Sequence, residues 1–139
     1  MVVMVMDGQG GGIGSVIIKA LRNAVAEDME ILALGTNSAA TARMMKAGAN
    51  QGATGENAIV QTSPKADVIM GPLAILMAHA MMGEVTSRMA EAVSVSSAKK
   101  ILIPLTQEKV RLVGVTADPL PHLVEEAVGV LKQIILVPA

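Results

Sequence analysis

The chain lacks cysteine and all three aromatic residues, phenylalanine, tyrosine and tryptophan. The lack of cysteine excludes disulfide bonds, a thiolate nucleophile and a sulfur-ligated metal site. The lack of aromatics excludes a tyrosine acid–base group and a ring on which a nucleobase can stack. The core must therefore be built from aliphatic residues and from 11 methionines, whose flexible side chains fill irregular spaces.

The chain also has little net charge and no very long apolar run. A formal net charge of −1 gives no electrostatic bias toward nucleic acid, and 139 residues suit one domain. The longest apolar stretch, residues 68–83, is shorter than the roughly 20 residues of a membrane span and is broken by Gly71-Pro72 and His79. Residues 1–6 lack a basic leader and are expected to form a buried strand. We expect a cytoplasmic protein that binds neither nucleic acid nor membranes.

Short apolar segments alternate with segments of helical periodicity. Strands are predicted at residues 2–6, 30–34, 49–54, 66–70, 100–104 and 110–115, the last antiparallel at the sheet edge because its connection is short. Helices are predicted at residues 13–25, 38–47 and 58–62, after the Thr86 cap, and after Asp118-Pro119. This alternation predicts one three-layer Rossmann-like α/β domain over residues 1–139, with a mostly parallel sheet of five or six strands and helices on both faces.

Residues 73–82 are nearly all apolar and are predicted to form a helix or turn. A helix that is apolar on every side must be buried, and the expected partner is a second subunit. The sequence therefore predicts a homodimer, with burial inside the domain as the alternative.

A glycine-rich turn follows the first strand and precedes the first helix. It consists of Asp7, Gly8, Gln9, Gly10, Gly11, Gly12, Ile13 and Gly14. The spacing of Gly8, Gly12 and Gly14 resembles the dinucleotide-binding turn of short-chain dehydrogenases. That resemblance implies a tight turn at Gly8, close approach of a pyrophosphate at Gly12 and close helix–strand packing at Gly14. The turn predicts a phosphate site, and the alternative is a tight turn without a ligand.

Residues beside the turn do not decide the identity of the ligand. Asp7 would repel a phosphate unless its carboxylate caps turn N–H groups or holds a cation, and capping is the commoner role. The tip of the second strand offers Thr36, Asn37 and Ser38 and no acidic selector for NAD, so NADP is slightly favoured over NAD. Equally, Asn37 and Ser38 are good helix caps.

Several turns along the chain are similar to those of a small family of uncharacterised bacterial proteins. They are Asp-Gly-Gln-Gly-Gly-Gly-Ile-Gly at 7–14, Gly-Thr-Asn at 35–37, Ala-Gly-Ala-Asn at 47–50, Gly-Ala-Thr-Gly-Glu-Asn-Ala at 52–58 and Ile-Pro-Leu at 103–105. The resemblance implies a shared fold and supplies no reaction and no catalytic residues.

Acid–base chemistry has few candidates. The Tyr-x-x-x-Lys pair of short-chain dehydrogenases is excluded because the chain has no tyrosine. The remaining candidates are Asp7, Glu56, His79, Glu84 and His122. A lone histidine in an apolar segment, such as His79, is more often a core or interface residue, and His122 is expected to face solvent. The two histidines lack a nearby ligand motif, so no metal site is predicted.

Four turns are predicted to meet at the carboxyl edge of the sheet, where ligands of open α/β sheets bind. These turns are residues 7–14, 35–38, 52–57 and 71–72. They add Gly71 and Pro72 to the nucleotide site. Thr54, Gly55, Glu56 and Asn57 are predicted to bind substrate, with the alternative that Glu56 is simply a charge in the first turn of a helix.

Three functions remain open from the sequence. The first is binding of a dinucleotide, NADP or NAD, through residues 7–14. The second is a non-redox binder or enzyme for a phosphorylated small molecule or mononucleotide. The third is a structural or regulatory subunit without a ligand.

Overall fold

The computed structural model describes residues 1–25, 28–105 and 108–136, whose strands form one five-stranded sheet. The strands are β1 (Val2–Asp7), β2 (Glu30–Gly35), β3 (Gln51–Thr54), β4 (Val68–Pro72) and β5 (Lys99–Ile103). Their order is β3-β2-β1-β4-β5 and all four pairings are parallel. The carboxyl ends of the strands therefore meet at one edge, and the strand order reverses between β1 and β4.

Helices cover both faces of this sheet. They are α1 (Gly12–Ala24), α2 (Ser38–Lys46), α3 (Glu56–Thr62), α4 (Ser87–Val95) and α5 (Leu120–Leu136), with short 3-10 turns at Ser63–Lys65 and Leu73–Leu76. Among the described helices, none is long and apolar enough to span a bilayer. The three-layer Rossmann-like architecture predicted from the alternation of elements is confirmed.

The central strand β1 shows why its residues are uniformly apolar. Val3 and Val5 pack with the buried faces of α1 and α5, whereas Met4 and Met6 pack with α3 and α4 on the opposite face. Successive side chains of a strand point to opposite faces, so a strand covered on both sides needs apolar residues throughout. Burial of each such side chain contributes roughly 1.5–3 kcal/mol.

The predicted sixth strand at residues 110–115 is wrong. These residues form no strand, and Val113 is fully exposed. Gly114 has a φ of +86°, which is incompatible with an extended strand. The segment instead connects β5 to α5, and the apolar alternation that indicated a strand is exposed to solvent.

Residues 73–82 do not form one continuous helix. The 3-10 turn ends at Leu76, and residues 77–85 form a series of turns with left-handed backbone at His79, Met81 and Met82. Ala74, Ile75 and Ala80 are buried within the domain, whereas Met82 is 96% exposed. The packing matches the alternative of burial inside the domain for part of the segment, and the homodimer stays a prediction.

Candidate functional site

A cleft of about 550 Å³ lies at the carboxyl ends of β1, β4 and β5. It includes the position where the strand order reverses, which is where open α/β sheets bind ligands. Its walls come from the glycine turn, the end of β4, the 77–85 segment and the loop after β5. The lining residues are Asp7, Gly8, Gln9, Gly10, Gly12, Ile13, Pro72, Ala74, Met81, Met82, Leu105 and Glu108.

The glycine turn is a tight backbone loop that leads directly into α1. The Gly11 N–H donates to the Gly8 carbonyl at 2.9 Å, and Gly11 has a φ of +72°. A Cβ at Gly11 would lie 2.9 Å from the Ala40 backbone, and one at Gly14 would lie 2.5 Å from the Met44 sulfur. These two glycines therefore allow the turn and α1 to pack closely against α2, and a Cβ at Gly14 would also lie 3.0 Å from the Asp7 Cβ at the end of β1.

Gly10 and Gly12 have a different environment. A Cβ at these positions would meet only the Arg43 Nη1 atom, at 3.9 Å and 3.6 Å. Among the described residues, the N–H groups of Gly10 and Gly12 have no hydrogen-bond acceptor. The turn thus presents bare backbone and two available donors to the cleft at the N-terminus of α1, where a phosphate is favoured.

Arg43, for which no role was predicted from the sequence, borders the glycine turn from α2. Its Nη1 donates to the Gly10 carbonyl at 3.4 Å from an exposed position on α2. Ala40 and Met44, on the same helix, contact the glycine turn, so Arg43 shares the face of α2 that borders it. The helical spacing was a signal in the sequence, but it could not show that this face meets the turn.

Asp7 caps the turn, which was the commoner of its two predicted roles. Its Oδ1 accepts the Gly8 N–H and its Oδ2 accepts the Gly14 N–H, both at 2.7 Å. Asp7 is only 4% exposed. Burial raises the pKa of Asp7 above its ordinary value, although the hydrogen bonds from Gly14 and Gly8 act in the opposite direction.

Glu84 occupies the donors at the tip of β2. Its Oε1 accepts hydrogen bonds from the Gln9 N–H and the Thr36 hydroxyl at 2.7 Å, and from the Asn37 amide at 2.8 Å. Burial acts to raise the pKa of Glu84, but these three hydrogen bonds bring it below its ordinary value. Glu84, a predicted acid–base candidate, is thus held as a carboxylate by the groups predicted to select a cofactor.

The predicted binding residues at the tip of β2 lie outside the cleft lining. Asn37 is the N-cap of α2, where its Oδ1 accepts the Ala40 N–H at 2.9 Å, and Ser38 is exposed in the first turn. The capping alternative is therefore confirmed for Asn37. Pro72 lines the cleft, whereas Gly71 lies behind it with a hypothetical Cβ 2.3 Å from the Met6 carbonyl oxygen.

The predicted substrate residues, 54–57, lie at the same sheet edge beyond β2 and do not line the cleft. The hydroxyls of Thr54 and Thr41 are 2.7 Å apart, and the Gly55 N–H donates to the Gly35 carbonyl at 2.9 Å. Glu56 accepts a hydrogen bond from Thr86 at 2.6 Å and Asn57 is exposed. These contacts give Glu56 a structural role between α3 and α4, and substrate binding by this loop stays a prediction.

The two histidines lie apart from the cleft lining. His79 is exposed, so it is not the core residue that was one of its two expected roles, and the other role, at an interface, stays a prediction. His122 is exposed as expected. His122 and Glu126 on α5 stand with Asp118, which lies just before the helix, and their ligand atoms lie within 4.8 Å of one another. The helical spacing of these three residues was visible in the sequence, but the prediction of no metal site considered only the histidines.

Glu108 is a cleft residue that the sequence analysis missed. Its Oε1 accepts the Met81 N–H at 2.7 Å and so connects the loop after β5 to the 77–85 segment. The rest of that wall is apolar, with Met81, Met82 and Leu105. The cleft therefore has a donor-rich end at the glycine turn and an apolar wall with one carboxylate.

Comparisons with known proteins complete the description. The family model described as "Domain of unknown function (DUF3842)" matches residues 2–136. A search of curated proteins found no relative. Among solved structures, the chain is similar to a dodecameric FMN-dependent Ubix-like decarboxylase from Escherichia coli O157:H7, with 16% identity, a TM-score of 0.47, and 96% of this chain and 75% of that chain covered. This structural similarity assigns no ligand to the chain.

Proposed function

We propose that this chain, which belongs to the DUF3842 family, binds a phosphorylated small molecule of mononucleotide size in the cleft. The observation that carries the proposal is the position of the cleft. It joins the glycine turn to the crevice between β1 and β4, where the strand order reverses. A volume of about 550 Å³ lies within the range of small-molecule sites.

The phosphate would bind at Gly10 and Gly12. Both N–H groups are available within the described part of the chain, and the N-terminus of α1 adds a favourable dipole. The guanidinium of Arg43 lies beside both glycines and can add charge-assisted hydrogen bonds to phosphate oxygens. Because Asp7 is buried behind the turn and bonded to Gly8 and Gly14, its carboxylate is already compensated.

The remainder of the ligand would lie against Met81, Met82 and Leu105. Methionine side chains adapt to flat or irregular apolar groups, which suits a base or a sugar face in a chain without aromatics. The Glu108 carboxylate, which accepts the Met81 N–H, places a negative charge on this wall, away from the phosphate position at the glycine turn. A nucleoside monophosphate or a sugar phosphate has this combination of groups.

A dinucleotide, NADP or NAD, is the second candidate. It is favoured by the hydroxyl of Thr36 and the amide of Asn37, which lie beside the glycine turn. Its second nucleoside would require these donors, and Glu84 now holds them. A mononucleotide needs no such displacement.

The direct test is calorimetric titration with AMP, FMN, ribose 5-phosphate, NAD and NADP, with adenosine as the probe without phosphate. We expect AMP or ribose 5-phosphate to bind and adenosine to bind at least about tenfold more weakly, because the phosphate contacts are lost. A ligand at about a hundred times its dissociation constant should also stabilise the fold by about 2.7 kcal/mol. Absence of binding by every probe would favour the structural or regulatory subunit.

The variant Gly12→Val tests the phosphate position. Its Cβ would meet only the flexible end of Arg43, so we expect a folded protein that has lost phosphate binding. Gly129→Ala is the matched control, because Gly129 lies on α5 with open space around it. If Gly12→Val binds the probes as well as Gly129→Ala does, the phosphate does not bind at this turn.

A further inference from the structure

A single oxygen of Glu84 collects three hydrogen bonds from two different turns. The donors are the Gln9 N–H in the glycine turn and the side chains of Thr36 and Asn37 after β2, at 2.7–2.8 Å. Hydrogen bonds to an ionised acceptor are shorter and roughly twice as strong as those between neutral groups. The carboxylate therefore behaves as an internal anion bound beside the phosphate position proposed above.

The surroundings of these donors favour an anion even without Glu84. Thr36 and Asn37 precede the nine-residue helix α2, whose N-terminus carries a partial positive charge. Arg43 extends from the same helix toward Gly10. The tip of β2 therefore combines two side-chain donors and a helix N-terminus, and the adjoining glycine turn adds the Gln9 N–H and the neighbouring guanidinium of Arg43.

Glu84 is half-buried, and the 77–85 segment that carries it consists of turns rather than of a helix or strand. Its backbone is left-handed at His79, Met81 and Met82, with φ of 67°, 57° and 56°, which is unfavourable for side chains of this size. Its contacts to the core come from the buried Ala80 and Val85 and from the partly buried Met77 and Met81, whereas Met82 is 96% exposed. Because Glu84 is half-buried, movement of its side chain toward solvent would be enough to expose the three donors.

We infer that the three donors now bound by Glu84 form a second anion subsite, which takes a phosphate on the far side of a dinucleotide when Glu84 is displaced. This inference rests on the proposed function, because the first phosphate must bind at Gly10 and Gly12. Glu84 then acts as a specificity residue: its own carboxylate competes with a 2′-phosphate, and the chain in its present conformation favours the smaller ligand. NADP carries a phosphate at this position and NAD does not.

The test compares AMP, NAD and NADP on the wild-type chain, Glu84→Ala and Glu84→Gln, with Glu125→Ala, an exposed glutamate on α5, as the matched control. We expect Glu84→Ala to bind NADP about tenfold or more tightly than the wild type, because the competing carboxylate is gone. The affinity for AMP should stay within about twofold, and the gain for NAD should be smaller. Glu84→Gln should gain less, because its amide oxygen can still accept from the same donors.

A second substitution identifies the donors. In the Glu84→Ala background, Thr36→Val removes the hydroxyl at nearly constant volume and should cancel most of the gain for NADP. Circular dichroism and thermal melting of each variant monitor folding independently of binding.

The outcomes separate this inference from the proposed function. An unchanged NADP affinity in folded Glu84→Ala, or equal gains for NAD and NADP, would overturn the second subsite while AMP binding still supports the first. A gain for NADP without AMP binding by any variant would retain the second subsite and refute the mononucleotide proposal. Absence of binding by all probes and variants would refute both.

Discussion

Asp7 shows how one side chain can organise a turn. Its carboxylate connects the end of β1 to the first turn of α1 through the Gly8 and Gly14 N–H groups. The N-cap residue itself is Gly11, which has no side chain to cap with. The Gly14 N–H in the first turn of this helix is therefore satisfied by a residue from the preceding strand, and Asp7 takes over the role of a helix cap.

We predict that Asp7→Ala lowers the free energy of unfolding by about 1–3 kcal/mol, because two backbone donors lose their acceptor in a buried site. Burial of the Asp7 carboxylate raises its pKa because the charged form is desolvated. The substitution removes this cost of burying a charge, which offsets part of the loss. Asp7→Asn should give an intermediate value, because its amide oxygen can replace only one of the two acceptors. Urea denaturation monitored by circular dichroism measures the change.

The control for this prediction is Glu125→Ala, which should change the stability by less than about 0.5 kcal/mol because the residue is exposed on α5. If Asp7→Ala unfolds at the same urea concentration as this control, the carboxylate does not hold the turn.

At the residue scale, the glycine turn was the most predictable part of the site. Its sequence required bare backbone, and the structure shows close packing at Gly11 and Gly14 and open space at Gly10 and Gly12. Arg43 and Glu108 were missed because Arg43 reaches the glycine turn from α2, and Glu108 lines the cleft from the loop after β5. Their positions depend on how separate elements pack, which no local pattern expresses.

Two helices, α1 and α5, each contain a glycine, and the space around the two glycines differs. In α1, Gly14 is required because a Cβ would lie 2.5 Å from the Met44 sulfur and 3.0 Å from the Asp7 Cβ. In α5, Gly129 lies on the exposed face, with no atom within 4 Å of a hypothetical Cβ. Glycine inside a helix costs conformational entropy, and only the first of these positions gains close packing in return.

We predict that Gly129→Ala raises the free energy of unfolding by about 0.5–1 kcal/mol, because alanine restricts the unfolded chain without a clash in the helix. Gly14→Ala should lower the stability, because α1 must move away from α2. The two melting temperatures, measured in the same buffer, provide the comparison. An equal shift of the two variants in one direction would contradict this account of the packing.

Element prediction failed where local patterns resembled regular structure without a partner. Residues 110–115 alternate like an edge strand, yet the left-handed Gly114 and the path to α5 keep them off the sheet. Residues 73–82 are apolar like a buried helix, yet the chain turns repeatedly after Leu76. By contrast, the capping role offered for Asn37 and the helix after Asp118-Pro119 were correctly predicted, because their signals are local.

At the scale of the whole molecule, Asp7 and Glu84 give opposite contributions to acid stability. The folded-state pKa of Glu84 lies below its ordinary value of 4.5, so its stabilisation is complete above that pH and is lost as the pH falls through the lowered value. The folded-state pKa of Asp7 lies above its ordinary value of 3.8, so its contribution is complete below that pH and is lost as the pH rises through the raised value. The pH dependence of the wild-type stability therefore does not separate the contribution of Asp7 from that of Glu84.

We predict that the difference in unfolding free energy between the wild type and Glu84→Gln is constant near neutral pH and decreases as the pH falls below about 4.5. The charge of the carboxylate strengthens its three hydrogen bonds, and protonation removes that advantage. Urea denaturation at several pH values between 3 and 7 measures the difference. A difference that grows on acidification, or does not change, would contradict the assigned direction of the Glu84 pKa.

The sequence by itself determined the alternation of strands and helices, the glycine turn after β1 and the carboxyl edge at which the turns meet. These features follow from periodicity and from backbone requirements that act over a few residues. Only the tertiary structure decided that the turn faces Arg43, that Glu108 borders the cleft, and that Glu84 fills the donors at the tip of β2. Each of these is a contact between residues distant in the chain, and such contacts are fixed by the packing of layers rather than by local pattern.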